Sequence, residues 1–498
     1  MEKARTRERP GRRGLRRRTF LGAVTAGAGA AVLGRRVRAG RAAGGRKRPN
    51  VLLIITDQQH AGMLSCAGNP HLRTPALDAL AAGGARMERA YPSNPVCLPS
   101  RFSMMTGHMP SRLGIRDNGG IPRGGTVPEG ILASALGHLF RRAGYRTLYG
   151  GKTHWPRGMT VRSIGFAPLT PDQRDGLAEA CERFLRGAPA EPWLLVASFI
   201  NPHDICFMAI DAHAQATGGR PFPKATTARR HLAEALRPPP GVSAEAFVRD
   251  RCPPLPPNFE IPDLEPECVT KLVRMRPFRA WVREHWTEAD WRRHRWAYCR
   301  LTERVDGQIG RVLAALRASG QEDRTLVVMV SDHGDMDSAH RMEHKTVLYE
   351  EASRVPMLVR YPGVVRAGLV DRRHLVSTGL DLLPTLCDFA GIDPPEGLRG
   401  RSLRPILEGR APDGWREELV VESQVGRMLR TDRFKYNCYE DGAHREQLVD
   451  LQADPGEMVN LAERPDHEAV LKDHRRRLCR WVDATGDPVA RSYVVREG

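Results

Sequence analysis

The residues best suited to chemistry surround Cys97-Leu98-Pro99-Ser100-Arg101. A cysteine set between Pro95 and Pro99, ahead of a helix-compatible run, has its sulfur at a helix N-terminus, where backbone N–H groups and the helix dipole favour an anion. Arg101 adds a fixed positive charge four residues on. A lone cysteine is as often an inert packing residue, so the reading depends on what else the chain delivers to the same place. Four further stretches contribute: Asp57, then Lys152 with His154, then His203, then Asp332-His333, each directly after a strand-like run. Carboxylates and imidazoles can hold a divalent cation, and lysine and arginine can neutralise the oxygens of an anionic ester. Together they suit metal-assisted hydrolysis of such an ester.

Positioning these groups requires strands that end where they begin. Residues 51–55, 193–200 and 325–331 are largely apolar runs of the kind buried on both faces of a parallel sheet, and 145–149 is a shorter strand. In an open α/β sheet the ligand crevice lies beyond the carboxyl ends of the strands. Asp57, His203 and Asp332 therefore stand where a site belongs. Lys152 and His154, two apart after a strand, point the same way if the backbone stays extended. The expected fold class is α/β: a large, mostly parallel sheet sandwiched by helices, with a small C-terminal antiparallel α+β subdomain.

The remaining elements follow from periodicity and breakers. Helical patterns span 132–143 and 301–316, and Thr74 before Pro75 marks a short helix with Thr74 as its cap. Residues 205–300 read as a long insertion bordering the site, with proline clusters at 238–241, 253–257 and 262–266 that exclude regular helix or central strand. Within it, 280–300 has helical character, and the spacing of Trp281, Trp286, Trp291 and Trp296 fits a helix core better than a sugar-stacking platform. Beyond Pro412, short segments at 419–422, 427–430, 434–439 and 446–450 predict an antiparallel sheet, and 466–484 a terminal helix. The expected division is a leader at 1–48, a catalytic domain at 49–412 and a C-terminal subdomain at 413–498.

The net charge of +19 would suggest nucleic acid or an anionic surface as partner. Residues 1–48 carry sixteen Lys or Arg against two Glu, so the rest of the chain is only mildly basic and no nucleic-acid partner is expected. That N-terminus has the form of an address: Arg17-Arg18-Thr19-Phe20-Leu21, then a small and apolar run to Leu33, too short to span a bilayer. It resembles a twin-arginine signal, which implies export to the bacterial periplasm or beyond. No later stretch is long and apolar enough for a transmembrane helix, so no stable membrane span is expected. The ten cysteines show no C-x-x-C spacing and signal neither a zinc site nor a disulfide scaffold.

Cys-x-Pro-Ser-Arg followed by Thr106-Gly107, the phrase T-P-x-L-D-x-L-A-x-x-G at 74–84, and the order of the residues above resemble the type I, formylglycine-dependent sulfatases of the alkaline phosphatase superfamily. The resemblance covers roughly residues 49–460. It implies that a formylglycine-generating enzyme oxidises Cys97 to 3-oxoalanine (formylglycine), whose hydrate is the nucleophile. It implies a divalent metal held by Asp57, Gln58, the converted Cys97, Asp332 and His333. Arg101 would orient the hydrate, Lys152 and Lys345 would bind sulfate oxygens, and His203 with Lys345 would protonate the leaving alcohol. His154 would take a proton from the second hydroxyl, expelling sulfate and regenerating the aldehyde.

Gln58 and His333 depart from the many members with a second Asp at the first position and the several with Asn at the second. The site loses a negative charge and gains a nitrogen, which Ca²⁺ favours less than oxygen. Ca²⁺ is still the first expectation, with Mn²⁺ or Mg²⁺ as alternatives. The implied substrate is a sulfated small molecule or carbohydrate. The Asp-Gln and Asp-His pairing also resembles choline sulfatases and phosphonate monoester hydrolases, and a chain whose Cys97 stayed unconverted would be a binding protein.

Overall fold

The computed structural model describes residues 48–497 except 123–124, 188, 220–224 and 413, so the twin-arginine segment lies outside the described residues. Strand β1 (Asn50–Asp57) is buried along its whole length. Its side chains alternate between two cores: Val51, Leu53 and Ile55 face one, Leu52 and Ile54 the other. Fully burying one such aliphatic side chain contributes about 1.5–3 kcal/mol, and a strand apolar on both faces can sit only inside a sheet covered on both sides.

That sheet has eight strands. In chain order they are β1, β2 (Ala85–Met87), then, after the short β3 (Ala90–Tyr91), β4 (Arg146–Gly151), β5 (Ala167–Thr170), β6 (Trp193–Pro202), β7 (Thr325–Ser331), β8 (Met357–Arg360) and β9 (Leu369–Asp371). The spatial order is β5-β4-β6-β1-β7-β8-β2-β9. β5, β4, β6, β1 and β7 run parallel, and β8 is antiparallel to both its neighbours. β3 pairs with β10 (Val376–Ser377) apart from this sheet. Helices Cys97–Thr106, Leu136–Arg142 and Thr378–Ala390 cover one face; Pro75–Ala82, Asp175–Arg186 and Glu288–Ala318 cover the other.

Three local expectations change. The helix expected over 132–143 is two, Glu129–Ala133 and Leu136–Arg142: Ser134 Oγ donates to the Gly130 and Ile131 carbonyls, and Ala135 is extended. Thr74 does not cap its helix with its hydroxyl, which engages Asp78 and Ser65. The Asp306 carboxylate, from the helix Glu288–Ala318, accepts from Ala76 and Leu77 N–H instead. In the insertion, Thr287 forms a capping box with Asp290, so the helical pattern breaks there and runs on unbroken from Glu288 to Ala318. The tryptophans are packing residues: Trp291 is buried against Trp286 and Phe259, and Trp296 Nε1 donates to Ala235 O.

The C-terminal sheet is antiparallel in the order β11 (Leu419–Glu422), β12 (Gly426–Arg430), β13 (Phe434–Tyr439), β14 (Glu446–Asp450), followed by the helix Glu468–Thr485. Leu419, Val421, Met428 and Tyr439 share a core with Tyr91, Leu348 and Tyr349 of the larger part. A buried cluster tightens this junction: Lys435 Nζ lies 2.7 Å from Glu457 Oε1 and 3.3 Å from Glu350 Oε1. Lys435→Met removes the cation that Glu457 shares with Glu350 while keeping the stem; Glu350 retains Arg354, 3.2 Å away. Leaving the buried Glu457 carboxylate without its cation costs about 3–5 kcal/mol, so the variant should melt several degrees lower in scanning calorimetry; an unchanged melting temperature would show that the cluster does not hold this junction together.

Candidate active site and metal centre

Because β4, β6, β1 and β7 are parallel neighbours, their carboxyl ends open on one crevice. β1 ends in Asp57 and β7 delivers Asp332-His333. β6 leads to His203 and β4 to Lys152. At the end of β4, Gly151 has φ +89°, and a Cβ there would collide with the Ser198 carbonyl of β6, so only glycine lets Lys152 turn in against that strand. Facing these ends is the helix Cys97–Thr106, with Cys97 as its first residue and Leu98 N–H held by Asn118 Oδ1 at 3.0 Å.

Arg101, fully buried on that helix, ties the arrangement together. Its Nη2 donates to Asp57 Oδ2 at 2.8 Å, its Nε to Asp332 Oδ2 at 2.7 Å and its Nη1 to Ser198 Oγ at 2.6 Å. Cys97 Sγ lies 3.1 Å from His333 Nε2, 3.3 Å from Lys345 Nζ, 3.6 Å from Lys152 Nζ and 3.9 Å from Asp57 Oδ1. Lys152 also pairs with Asp57, and His203 Nε2 stands 4.0 Å from Asp57 Oδ1. Gln58, at φ 67°, donates its N–H to Asp332 Oδ1 and its side-chain amide to Asp335 Oδ2, and its Oε1 accepts from Lys345 at 2.7 Å.

The charges favour an anion at position 97. Burial and the Asp57 carboxylate push the Cys97 thiol up, but Lys152, Lys345 and His333 outweigh them and hold it well below the ordinary thiol range. Burial also works against ionised Asp57, and Lys152, His203, Arg101 and Lys345 overcome it. Asp332 is pushed up to about 6 by burial, with Arg101 opposing and Asp57 adding to the rise. Burial, then Lys152 and Lys345, depress the His203 imidazole well below its usual value.

The donor set fits a divalent cation. Ligand atoms of Asp57, Cys97, Asp332 and His333 all lie within 4.8 Å of one another, the span of a sphere with bonds of about 2.3–2.6 Å. His333 Nδ1 meets the Gly334 carbonyl at 2.8 Å, which places the ring proton there and leaves the Nε2 lone pair to the cluster. A cation between Asp57 and Asp332 would also relieve the repulsion that raises Asp332.

A family profile described as "Sulfatase" matches residues 49–392, and another, "N-sulphoglucosamine sulphohydrolase, C-terminal", matches 338–483. The chain belongs to the sulfatase family. This sulfatase is 31% identical over 472 residues to the Delta 4,5-hexuronate-2-O-sulfatase of Bacteroides thetaiotaomicron, covering 90% of this chain and 92% of that one. It is 27% identical to the choline-sulfatase of Rhizobium meliloti, with 90% of each covered. A solved structure of a 2-O GAG sulfatase matches with a TM-score of 0.75 and 30% identity over 91% of this chain and 95% of that one. The molecule is a sulfatase-type hydrolase with a buried centre able to coordinate a divalent metal.

Of the residues predicted from sequence, Asp57, Gln58, Cys97, Arg101, Lys152, His203, Asp332, His333 and Lys345 meet in this crevice. His154 is half-buried and makes no hydrogen bond or ion pair among the described residues. β4 ends at Gly151, so Lys152 and His154 both lie beyond the strand. Other groups complete the sulfatase site. Ser198 Oγ accepts from Arg101 and donates to the Lys152 carbonyl; a small polar residue inside an apolar strand was its signal. Ser100 Oγ donates to the Asp332 carbonyl, and Asp335, pushed up to about 7 by burial, fixes the Gln58 amide. No helix among the described residues is long and apolar enough to cross a membrane.

The metal centre has a direct test. Chelation with EDTA should lower the melting temperature and Ca²⁺ should restore it, because a ligand of the folded state stabilises by mass action. His333→Ala should weaken Ca²⁺ binding by more than about tenfold in isothermal titration calorimetry. Equal affinity in the variant would remove His333 from the ligand set.

Proposed function

We propose that this sulfatase is an exported enzyme that hydrolyses sulfate monoesters of carbohydrates, using the hydrated aldehyde made from Cys97 as nucleophile. The observation that carries the reading is the placement of position 97: at a helix start, with two ammonium groups and an imidazole nitrogen within 3.6 Å of its sulfur. Sγ there stands in for the oxygens of the hydrate. The thiol form would be a soft ligand in a hard set; replacing sulfur by oxygen gives three oxygens and one nitrogen, suited to Ca²⁺, with Mn²⁺ or Mg²⁺ next. The metal, when bound, supplies positive charge to the nucleophile and to the sulfate oxygens.

The chain's own groups have separate tasks in this reading. Lys152 and Lys345 bind the sulfate oxygens, and the start of the helix at Cys97 adds its dipole. Arg101 sets the carboxylates and, through them, the direction in which residue 97 presents its oxygens. His203, with Lys345, protonates the departing alcohol oxygen, and the unpartnered His154 takes the proton whose loss releases sulfate. A carbohydrate substrate is supported by relatives that include a hexuronate sulfatase and a 2-O GAG sulfatase. Export is supported by Arg17-Arg18 and the apolar run behind it, and maturation would need a formylglycine-generating enzyme before folding buries Cys97.

Mass spectrometry of the tryptic peptide containing Cys97 tests the nucleophile. The protein made with the maturing enzyme should show sulfur lost and an aldehyde oxygen gained, and turnover of 4-nitrophenyl sulfate should exceed that of 4-nitrophenyl phenylphosphonate. An intact thiol in an active preparation would refute the proposed nucleophile, and a preference for the phosphonate would refute the substrate class.

A further inference from the structure

The amide of Gln58 is held in one orientation by its partners. Lys345 Nζ donates to its Oε1 at 2.7 Å, and an ammonium can only donate, so the atom facing it is the oxygen. The other amide atom, Nε2, then donates to Asp335 Oδ2 at 2.6 Å. Asp335 is fully buried and is itself fixed by the N–H groups of Asp337 and His344. The backbone of Gln58 is equally constrained: φ is 67°, its N–H donates to Asp332 Oδ1, and its carbonyl accepts from the Tyr298 hydroxyl. A residue other than glycine keeps such a conformation only where its surroundings determine it.

These contacts leave the oxygen no capacity for a metal. An amide oxygen has two lone pairs. One accepts from Lys345, and the other accepts from the thiol of Cys206, whose buried Sγ lies 3.2 Å away. A divalent cation at Oε1 would also stand beside the ammonium, like charge against like charge in a buried place. Asp57, Cys97, Asp332 and His333 converge without this oxygen. The group that gains from it is Lys345. Its Nζ has two contacts among the described residues, Gln58 Oε1 and Cys97 Sγ, so one of its three protons is left for a sulfate oxygen. Lysine carries its charge on a flexible stem, and a neutral amide holds that charge in place without cancelling it. A carboxylate at position 58 would neutralise Lys345 and would bring a second negative charge against Asp335.

We propose that Gln58 stands outside the metal's ligand set and is a positioning residue: gripped by Asp335, it aims the Lys345 ammonium at the sulfate beside position 97. This sets aside the ligand role that the family resemblance implies for Gln58. What Lys345 binds rests on the sulfate-ester reading of the site.

Crystals of the mature protein grown with Ca²⁺ test the geometry. Gln58 Oε1 should remain on Lys345 Nζ, farther from the ion than the about 2.3–2.6 Å of a calcium–oxygen bond, and an oxygen at bonding distance overturns the proposal. In Gln58→Met, Lys345 Nζ should leave its place beside position 97 while the ion stays; an unmoved Lys345 overturns the positioning role. In solution, Gln58→Met should raise the inhibition constant of inorganic sulfate and lower kcat/KM for 4-nitrophenyl sulfate, each by about 10- to 100-fold, the worth of a hydrogen bond to a charged group. Saturating Ca²⁺ should restore neither. Recovery with Ca²⁺ would mark a ligand, and unchanged constants a residue with no part in the site; either result overturns the proposal. Gln58→Glu keeps an oxygen on Lys345 but neutralises it, so sulfate should again inhibit more weakly than in the parent, and inhibition as strong or stronger counts against the role. If the parent neither turns over 4-nitrophenyl sulfate nor is inhibited by sulfate, the sulfate-ester reading fails and the crystals decide the role of Gln58 separately. Should Gln58→Met fail to fold, the distance from Oε1 to the ion in the parent decides.

Discussion

Two carboxylates on neighbouring parallel strands would repel each other in a buried crevice, and the fork of Arg101 is what allows them to coexist. It takes one oxygen from Asp57 and one from Asp332, and its third contact reaches Ser198 on the strand at the other side of β1. Three strand ends and the nucleophile helix are thereby fixed by a single side chain. The oxygen Asp57 Oδ1, His333 Nε2 and position 97 are left facing one another. Removing a partner from such a buried network exposes the full penalty of the charges left behind, so the geometry around position 97 depends on this contact before it depends on any metal.

The positive groups divide between two tasks. Arg101 neutralises the carboxylates from behind, while Lys152 and Lys345 stand beside position 97 itself. Lys152 takes part in both, since it also pairs with Asp57. Their combined effect is to favour negative charge at position 97 despite burial and a nearby aspartate, which is the electrostatic requirement for handling an anionic ester in a site with little water. The insertion extends this pattern outward. Its helices pack their tryptophans inward and place Arg279 against the Lys345 loop.

Much of this was legible in the sequence because strands buried on both faces leave a plain mark. The apolar runs ending at Asp57, His203 and Asp332 specified a parallel sheet and where its crevice opens, and the Cys-x-Pro-Ser-Arg motif located the helix that faces it. The four C-terminal strands were readable for a similar reason, since each alternates between turn residues. What remained hidden depends on contacts far apart in the chain. Thr74 has the form of a cap, yet Asp306, more than two hundred residues later, caps that helix. Ser198 lies inside an apolar strand, and its part in the site shows only where Arg101 reaches it.

The central claim is that distant strand ends build one cation site around position 97. Crystals of the mature protein soaked in Mn²⁺, measured at the manganese absorption edge, test it most directly. The account predicts an anomalous peak bounded by Asp57, Asp332, His333 and residue 97, and a peak elsewhere with none between these residues would contradict it.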